Sequence, residues 1–290
     1  MKVVYIASLA HSGSTVLNLS LGSHPRLVGL GEVHWMTSFT KAELKDEMTQ
    51  ACTCGARAGQ CEFWGFVFSG LLQRLEATVE EKYRLIFKAF RKHFGDDVVL
   101  VDASKRLSNL LLLHSMPDVE LSVLLMIRDV RGFTVSNRDS IPLEFDVERL
   151  FRFTRNDRLD RLIHANTSRH PFYLFWKWYI RNRGYQAILQ KNQVRFFQLG
   201  YDEFAGHPEA LLGKLSDFLG VDYHPDMLIP DAGDDHLFLG NPKMFYNEKR
   251  ASIQYDNRWK QRDDWVVAAR LFPQIMTYNV GQVYGNIGGL

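Results

Sequence analysis

Five small or polar residues near the N-terminus have the types and spacing of an anion-binding turn. Residues 11–15 read His-Ser-Gly-Ser-Thr, after the apolar run 3–7 and before the periodic segment 15–21. This order predicts a strand, a tight turn and the start of a helix. Backbone N–H groups of such a turn point at one spot, where the helix N-terminus adds partial positive charge. A phosphate or sulfate is the predicted ligand, although the same pattern is typical of a simple helix cap.

The turn differs from the loop of a nucleotide-hydrolysing enzyme in one respect. A P-loop reads G-x-x-x-x-G-K-[ST], and it places its Lys on the outer phosphates and its hydroxyl on Mg²⁺. Here Ser14 stands where that Lys would be, and the loop is shorter. The sequence therefore predicts an anion cradle without the parts of a kinase.

Two further polar residues follow short apolar or glycine-rich stretches. Glu32 comes after Gly29-Leu30-Gly31, where a carboxylate can approach a ligand closely and act as a general base. Lys105 comes after the apolar run 98–102, at the start of a predicted helix. The helix dipole favours anions at that end, so a Lys is better placed there if an anion lies between its ammonium group and the helix N-terminus. Read alone, Glu32 is more typical of a solvated loop, and Lys105 is equally typical of an exposed side chain.

A fourth cluster begins at Arg128, directly after the apolar run 121–127. Ser136 lies two helical turns further along, and a guanidinium with a hydroxyl suits a bound phosphate. The alternative is an Arg–Asp surface pair at a helix start, which contributes little.

Alternating strands and helices must position these clusters. The periodicity predicts strands at 3–7, 98–102, 121–127 and 194–199, and helices at 15–21, 78–94, 105–114, 130–139, 173–190 and 208–219. Such alternation indicates βαβ units, an α/β fold and a mostly parallel central sheet. Ligands of such sheets bind beyond the carboxyl ends of the strands, where three of the clusters lie.

Length and composition set the outer bounds. We expect one domain over residues 1–290, with an irregular insert at 33–70 and an irregular lid region at 229–262. The net charge of +2 indicates neither a nucleic-acid partner nor a membrane surface. No apolar run is long enough for a membrane span, and the N-terminus lacks signal-peptide character, so we expect a cytoplasmic protein. A homodimer is compatible with these features.

Taken together, the clusters resemble the PAPS-dependent sulfotransferases, which transfer a sulfuryl group from 3′-phosphoadenosine-5′-phosphosulfate. Residues 11–15 are similar to the family's 5′-phosphosulfate loop, [RK]-x-G-[ST]-[ST]. Residues 128–131 with Ser136 resemble its R-D-P-R-type 3′-phosphate element, with Val130 in place of Pro. Residues 23–32 resemble the "HP…GE" stretch of tyrosylprotein and many bacterial sulfotransferases. The resemblance implies a P-loop-like three-layer sandwich, with a central sheet flanked by helices.

The resemblance also implies a role for each residue. Arg128 and Ser136 would hold the 3′-phosphate, Glu32 would be the catalytic base, and Lys105 would neutralise the leaving phosphate. His11 replaces the loop's usual basic residue, so its positive charge there depends on protonation. The loop residues implied to hold the 5′-phosphosulfate are Ser12, Gly13, Ser14 and Thr15.

Further downstream, residues 236–243 resemble the family's "H…GNP" loop, which closes over the adenosine 3′-phosphate. Asn241 and Lys243 are the cofactor-binding candidates in this loop, and Arg258-Trp259 would follow as a lid helix.

The implied reaction transfers SO₃ from PAPS to a hydroxyl or amine, with PAP as the product and no metal required. The acceptor is a small molecule, glycan, lipid or peptide that the sequence does not identify. One alternative is a small-molecule kinase that uses ATP and Mg²⁺, for which Asp102 is the available metal carboxylate. Another is a nucleotide-binding protein without catalysis.

Three cysteines lie within ten residues, which is not a disulfide framework. Cys52, Cys54 and Cys61 are compact enough for zinc, with His34 as the nearest fourth ligand, although the spacing is unusual. A Cys54–Cys61 disulfide is the alternative, which a cytoplasmic setting disfavours. We expect this segment to shape the acceptor site and the aromatic-rich run 172–179 to be a buried helix face.

Overall fold

A five-stranded parallel sheet forms the centre of the protein. The computed structural model describes residues 1–140, 169–230, 236–240 and 253–285. The strand order is β2-β3-β1-β4-β5, and each pair of neighbours is parallel. The strands are β1 (Lys2–Ser8), β2 (Leu27–Gly29), β3 (Val99–Asp102), β4 (Glu120–Ile127) and β5 (Phe196–Gly200). The sequence predicts all but β2, which has too few residues to show a period.

Side chains of the sheet alternate between two buried clusters, one on each face. Along β1, Val3 and Tyr5 join the first cluster, whereas Val4 and Ile6 join the second. This is the two-residue period of a strand buried on both faces. The predicted α/β three-layer sandwich is confirmed.

Helices cover both faces of the sheet. On the second face lie α1 (Ser14–Gly22), α9 (Tyr201–Gly206) and α10 (Pro208–Leu219). On the first lie α4 (Glu62–Leu72), α5 (Val79–Phe94), α6 (Leu107–Ser115), α7 (Val130–Ser140), α8 (Pro171–Lys191), α11 (Val266–Leu271) and α12 (Pro273–Val283). In the part of the chain that the structure describes, no helix combines the length and apolar character that a membrane crossing requires.

The prediction of an irregular insert at 33–70 is wrong in part. The segment contains α2 (His34–Ser38), α3 (Lys41–Glu47) and α4. The first two helices are too short to show a clear period, although Thr40 and Glu43 form a capping box that starts α3. In α4 the apolar residues dominate, so its faces differ little in hydropathy.

In the region 229–262, residues 231–235 and 241–252 lie outside the described residues. The described remainder contains a single-turn 3₁₀ helix, Arg258–Gln261, at the position predicted for a lid helix.

Candidate functional site

The turn between β1 and α1 has the geometry of an anion cradle. His11 has φ of 64° and Gly13 has φ of 90°, so the backbone bends sharply before α1. A side chain at Gly13 is excluded because its Cβ would lie 2.2 Å from Cδ2 of Tyr201. Gly13 is the N-cap, and no described side chain caps the N–H groups of the first turn of α1. These N–H groups and the helix dipole are therefore available to an anion.

His11 does not supply a fixed positive charge to this turn. Partial burial lowers the pKa of His11 below its ordinary 6.5. The positive charges of Lys105, Arg128 and Lys177 lower that pKa further. His11 is therefore mostly neutral at pH 7, and the positive charges beside the turn include those of Lys105 and Arg128.

Glu32 and Lys105 form an ion pair at the carboxyl ends of β2 and β3. Glu32 Oε1 lies 2.5 Å from Lys105 Nζ, and both side chains are about four-fifths buried, with 19% and 18% exposure. The indole Nε1 of Trp35 donates to the other carboxylate oxygen at 3.2 Å. The pair therefore holds Glu32 as an oriented carboxylate, which is the state a general base needs.

Backbone contacts fix the two loops that carry this pair. Gly31 accepts a hydrogen bond from the Ala103 N–H at 2.7 Å, which joins the loop after β2 to the loop after β3. Lys105 has φ of 63°, a left-handed conformation that is uncommon for a non-glycine residue. The Tyr185 hydroxyl, on α8, donates to the Lys105 carbonyl.

Asp102, the carboxylate that a kinase would need for Mg²⁺, accepts hydrogen bonds from neighbouring residues of the protein. Ser104 donates to its Oδ1 from the backbone N–H at 2.9 Å, and the Tyr83 hydroxyl donates to its Oδ2 at 3.0 Å. Burial raises the pKa of Asp102 to about 7, although these hydrogen bonds oppose the shift. Both carboxylate oxygens of Asp102 are thus hydrogen-bonded within the protein interior, which disfavours the kinase alternative.

Arg128 and Ser136 are joined directly, as their spacing predicts. The Arg128 guanidinium donates from Nη1 to the Ser136 hydroxyl at 3.0 Å and to the His11 carbonyl at 2.9 Å. Its side chain is only 6% exposed and lies over the ring of Tyr201, 4.8 Å from the centroid. Because Arg128 contacts the anion turn itself, the fourth cluster converges on the first.

Two charged residues of this site were not predicted as ligands from the sequence. Asp256 accepts from Arg128 Nη2 at 2.8 Å and from Arg258 Nη2 at 2.7 Å. Arg258 also donates to the Ser136 hydroxyl at 3.3 Å. We call Arg128, Ser136, Asp256 and Arg258 the arginine cluster. No sequence signal marks Asp256, because it lies 128 residues from Arg128.

The neighbouring Asp129–Arg131 pair is buried and structural. Asp129 accepts from Arg131 Nη2 at 2.7 Å and also from Asn279 and Tyr284 of the C-terminal region. Arg131 stacks on Trp259, with 3.9 Å between its guanidinium carbon and the ring centroid. The pair therefore fastens the start of α7, and the surface-pair alternative is wrong for it.

The remaining residues predicted to bind the cofactor lie in the turn and in the downstream loop. Ser12 and Ser14 are buried in the turn, and Thr15 is half-buried beside them. Asn241 and Lys243 lie outside the described residues.

His34 as the fourth zinc ligand is wrong. Its backbone N–H donates to Ser104 and its ring packs on Trp35. The side chain that lies with the three cysteines is instead that of His236.

The aromatic run on α8 is only partly core. Phe175 and Trp178 are fully buried, and the Trp178 indole donates to the Arg128 carbonyl at 2.8 Å. Tyr173 and Trp176 are about two-fifths exposed, at 41% and 40%. The buried face of α8 therefore positions Arg128, while its other face leaves aromatic surface open.

Comparison with solved structures places this fold among sulfotransferase domains. The sulfotransferase domain of the Synechococcus PCC 7002 olefin synthase matches at 20% identity over 94% of each chain, with a TM-score of 0.52. The sulfotransferase domain of the curacin biosynthetic pathway matches at 14% identity over 94% of this chain and 97% of that one, with a TM-score of 0.46. A sulfotransferase from Alicyclobacillus acidocaldarius matches at 19% identity over 94% and 95%, with a TM-score of 0.40. The first match confirms the predicted resemblance at the level of the fold. No protein-family model matches the chain, and no curated protein matches it.

Proposed function

We propose that this protein is a PAPS-dependent sulfotransferase that sulfates a hydroxyl or amine group. One observation carries the proposal: an anion turn, a guanidinium–hydroxyl pair and an oriented carboxylate–ammonium pair lie together at the carboxyl ends of β1, β4 and β3. Arg128 links the turn to the arginine cluster at 2.9 Å, and Lys105 lies 2.5 Å from Glu32.

The donor fits this site by charge and by hydrogen-bonding capacity. The uncapped N–H groups of α1 would bind the 5′-phosphosulfate, together with the hydroxyls of Ser12, Ser14 and Thr15. Arg128 and Ser136 would bind the 3′-phosphate, because a guanidinium makes charge-assisted bonds to phosphate oxygens. The 3′-phosphate is the group that distinguishes PAPS from ATP and ADP.

In the proposed reaction the acceptor oxygen or nitrogen attacks sulfur opposite the bond to the 5′-phosphate. The new bond to sulfur forms as the sulfur–oxygen bond to the 5′-phosphate breaks, and PAP leaves. The acceptor's proton passes to Glu32. Lys105, released from Glu32, and the N–H groups of the turn stabilise the charge on the departing oxygen.

The first test is nucleotide selectivity. We expect PAP to bind more tightly than ADP, and Arg128→Lys to reduce this preference because Lys offers no bidentate contact. Isothermal titration calorimetry with both nucleotides measures the difference. Equal affinity for PAP and ADP in the wild-type protein would contradict the assignment of the 3′-phosphate site.

The second test is transfer itself, with Glu32→Gln as the diagnostic variant. A metabolite extract incubated with PAPS and protein should gain a species heavier by one SO₃ group, detected by mass spectrometry. In Glu32→Gln we expect the rate to fall by roughly 10²–10⁴-fold while PAP binding is retained. Glu80→Gln, which changes an exposed carboxylate on α5, is the matched control.

The outcomes separate the competing functions. Unchanged sulfation in Glu32→Gln would overturn the base assignment. PAP binding with no transfer to any acceptor would support the non-catalytic alternative, and Mg²⁺-dependent ATP turnover without a response to PAPS would support the kinase.

A further inference from the structure

We propose that Cys52, Cys54, Cys61 and His236 bind one zinc ion. Their ligand atoms all lie within 4.8 Å of one another. The Cys52 and Cys61 sulfurs are 3.9 Å apart, and His236 Nδ1 is 3.0 Å from the Cys61 sulfur. Zinc–sulfur bonds of about 2.3 Å in a tetrahedron require sulfurs about 3.8 Å apart. The cluster therefore has the dimensions of a Cys₃His zinc site.

A tight turn presents the first two thiols on one side of the chain. The Gly55 N–H donates to the Cys52 carbonyl at 2.9 Å, and the Cys52 N–H donates to the Ala56 carbonyl at 2.9 Å. Gly55 has φ of 86°, which an L side chain rarely adopts. The glycine after Cys54 thus closes the turn that brings Cys54 back beside Cys52.

The third thiol is fixed by the start of a helix. Cys61 is the N-cap of α4, and its sulfur accepts a hydrogen bond from the Trp64 N–H at 3.4 Å. This bond and the helix dipole both favour a thiolate, the form of cysteine that binds a metal.

His236 is oriented for metal binding through Nδ1. Its other ring nitrogen, Nε2, lies 3.1 Å from Nε2 of His93, and the Trp64 indole donates to its carbonyl. Metal-bound histidines ordinarily donate their second ring N–H to an acceptor, which fixes the tautomer, and the unprotonated Nε2 of His93 can accept it here. His236 also has φ of 54°, an uncommon conformation for a non-glycine residue.

The surroundings indicate a structural rather than a catalytic metal. Cys52 and Cys61 are 1% and 2% exposed, and all three cysteines are free thiols rather than a disulfide. Four protein ligands fill a tetrahedral shell, which leaves no open position for substrate.

The proposed ion would fasten a segment that borders Glu32. We call residues 236–240 the strap. Thr53 exchanges two hydrogen bonds with Leu237 of the strap, at 2.9 and 2.8 Å. The Leu239 carbonyl accepts from the Glu32 N–H at 3.4 Å, and it lies where a Cβ on Gly31 would stand, at 2.1 Å. Zinc would therefore hold the cysteine segment and the strap together behind the carboxylate.

Metal content of the purified full chain is the direct test. We expect one equivalent of zinc per chain by inductively coupled plasma mass spectrometry, and a tetrahedral cobalt spectrum with sulfur charge-transfer bands after Co²⁺ substitution. Cys61→Ser and His236→Gln should lose the metal, whereas His114→Gln, a histidine on α6, should retain it.

Two further variants keep the test sharp if Cys61→Ser fails to fold. Cys54 is exposed, so Cys54→Ser should fold and bind zinc more weakly. His93→Gln should keep the ligand set and weaken zinc affinity by about 10–100-fold.

The contrary results are equally definite. A folded chain that takes up no zinc when supplied with it, or a Cys52–Cys61 disulfide in mass spectrometry of the fresh protein, would overturn the proposal. The readout is metal content, so a failure of sulfotransfer would leave this inference standing.

Discussion

At the scale of single residues, the arginine cluster already contains a carboxylate where a phosphate is proposed to bind. Hydrogen bonds from Arg258 and Arg128 hold the pKa of Asp256 well below its usual range, although partial burial opposes this shift. Asp256 is therefore ionised throughout the physiological range, and its two guanidinium contacts are those that a 3′-phosphate would make. A phosphate bound at this point would therefore compete with Asp256 for these donors.

We expect Asp256→Asn to bind PAP more tightly, because removal of the carboxylate charge eliminates a competitor for Arg128. A charge-assisted hydrogen bond contributes about 1.5–3 kcal/mol, so the gain should be roughly tenfold or more. Calorimetric titration measures it. Asp118→Asn is the control, because Asp118 pairs with Arg84 at the surface, away from the arginine cluster. Weaker PAP binding in a fully folded Asp256→Asn would contradict the competition.

His11 should make donor binding depend on pH. Burial and nearby cations lower its pKa in the free protein, whereas the 5′-phosphate of bound PAP, or the phosphosulfate of PAPS, would raise it. PAP affinity should therefore be highest at low pH and decline as pH rises through the pKa of His11 in the complex. Titrations in buffers of different ionisation enthalpy should show proton uptake on binding, and His11→Gln should abolish that component. A PAP affinity that rises with pH would show that another group controls binding.

At the scale of elements, α2 connects the loop that carries Glu32 to the core. It begins at His34, two residues after Glu32, and carries Trp35, whose indole donates to that carboxylate. The His34 side chain is buried. Burial, with Arg106 nearby, lowers the pKa of His34 from 6.5 to about 4. Its Nδ1 is buried with no partner among the described residues. Protonation of His34 in the folded chain is therefore unfavourable.

The His34 imidazole binds a proton more readily in the unfolded chain than in the folded one. The free energy of unfolding should therefore fall as pH drops from about 6.5 towards 4. Between about pH 7.5 and pH 5, wild type should lose about 2 kcal/mol more than His34→Gln in the free energy of unfolding. Urea denaturation at the two pH values measures this difference, with His114→Gln as a control that behaves as wild type. An identical pH dependence in wild type and His34→Gln would show that the pKa of His34 is the same in the folded and unfolded chains.

At the scale of the whole molecule, the strand order determines which loops lie beside the anion turn. β1 lies between β3 and β4, so the anion turn after β1 has Lys105 on one side and Arg128 on the other. The core continues on both faces of this sheet, which supports our proposal that residues 1–290 form one domain with one site at its edge.

A single domain should unfold in one cooperative transition, with near-ultraviolet and far-ultraviolet circular dichroism giving the same midpoint. PAP at about 100 times its Kd should add about 2.7 kcal/mol of stability, because it binds the folded chain alone. ADP at the same concentration should add less. Two separate transitions would argue for two domains, and equal stabilisation by both nucleotides would argue against a 3′-phosphate site.

The sequence alone determined the local features, because these depend on neighbouring residues. Apolar runs predict four of the strands. Each candidate site residue lies at the end of its own strand or on its own helix, as the local sequence predicts: the turn 11–15, Glu32, Lys105, and Arg128 with Ser136. The short β2 and the helices of 33–70 were missed, since a few residues show no period and a uniformly apolar helix shows no face.

Only the tertiary structure decided which distant residues meet. Asp256 joins Arg128 across 128 positions, Glu32 joins Lys105 across 73, and His236 rather than His34 joins the cysteines, 175 positions from Cys61. The proton state of His11 also depends on burial and on charges from three other elements. Such partners are set by the order of strands in the sheet and by how loops pack at its edge, which no local pattern along the chain encodes.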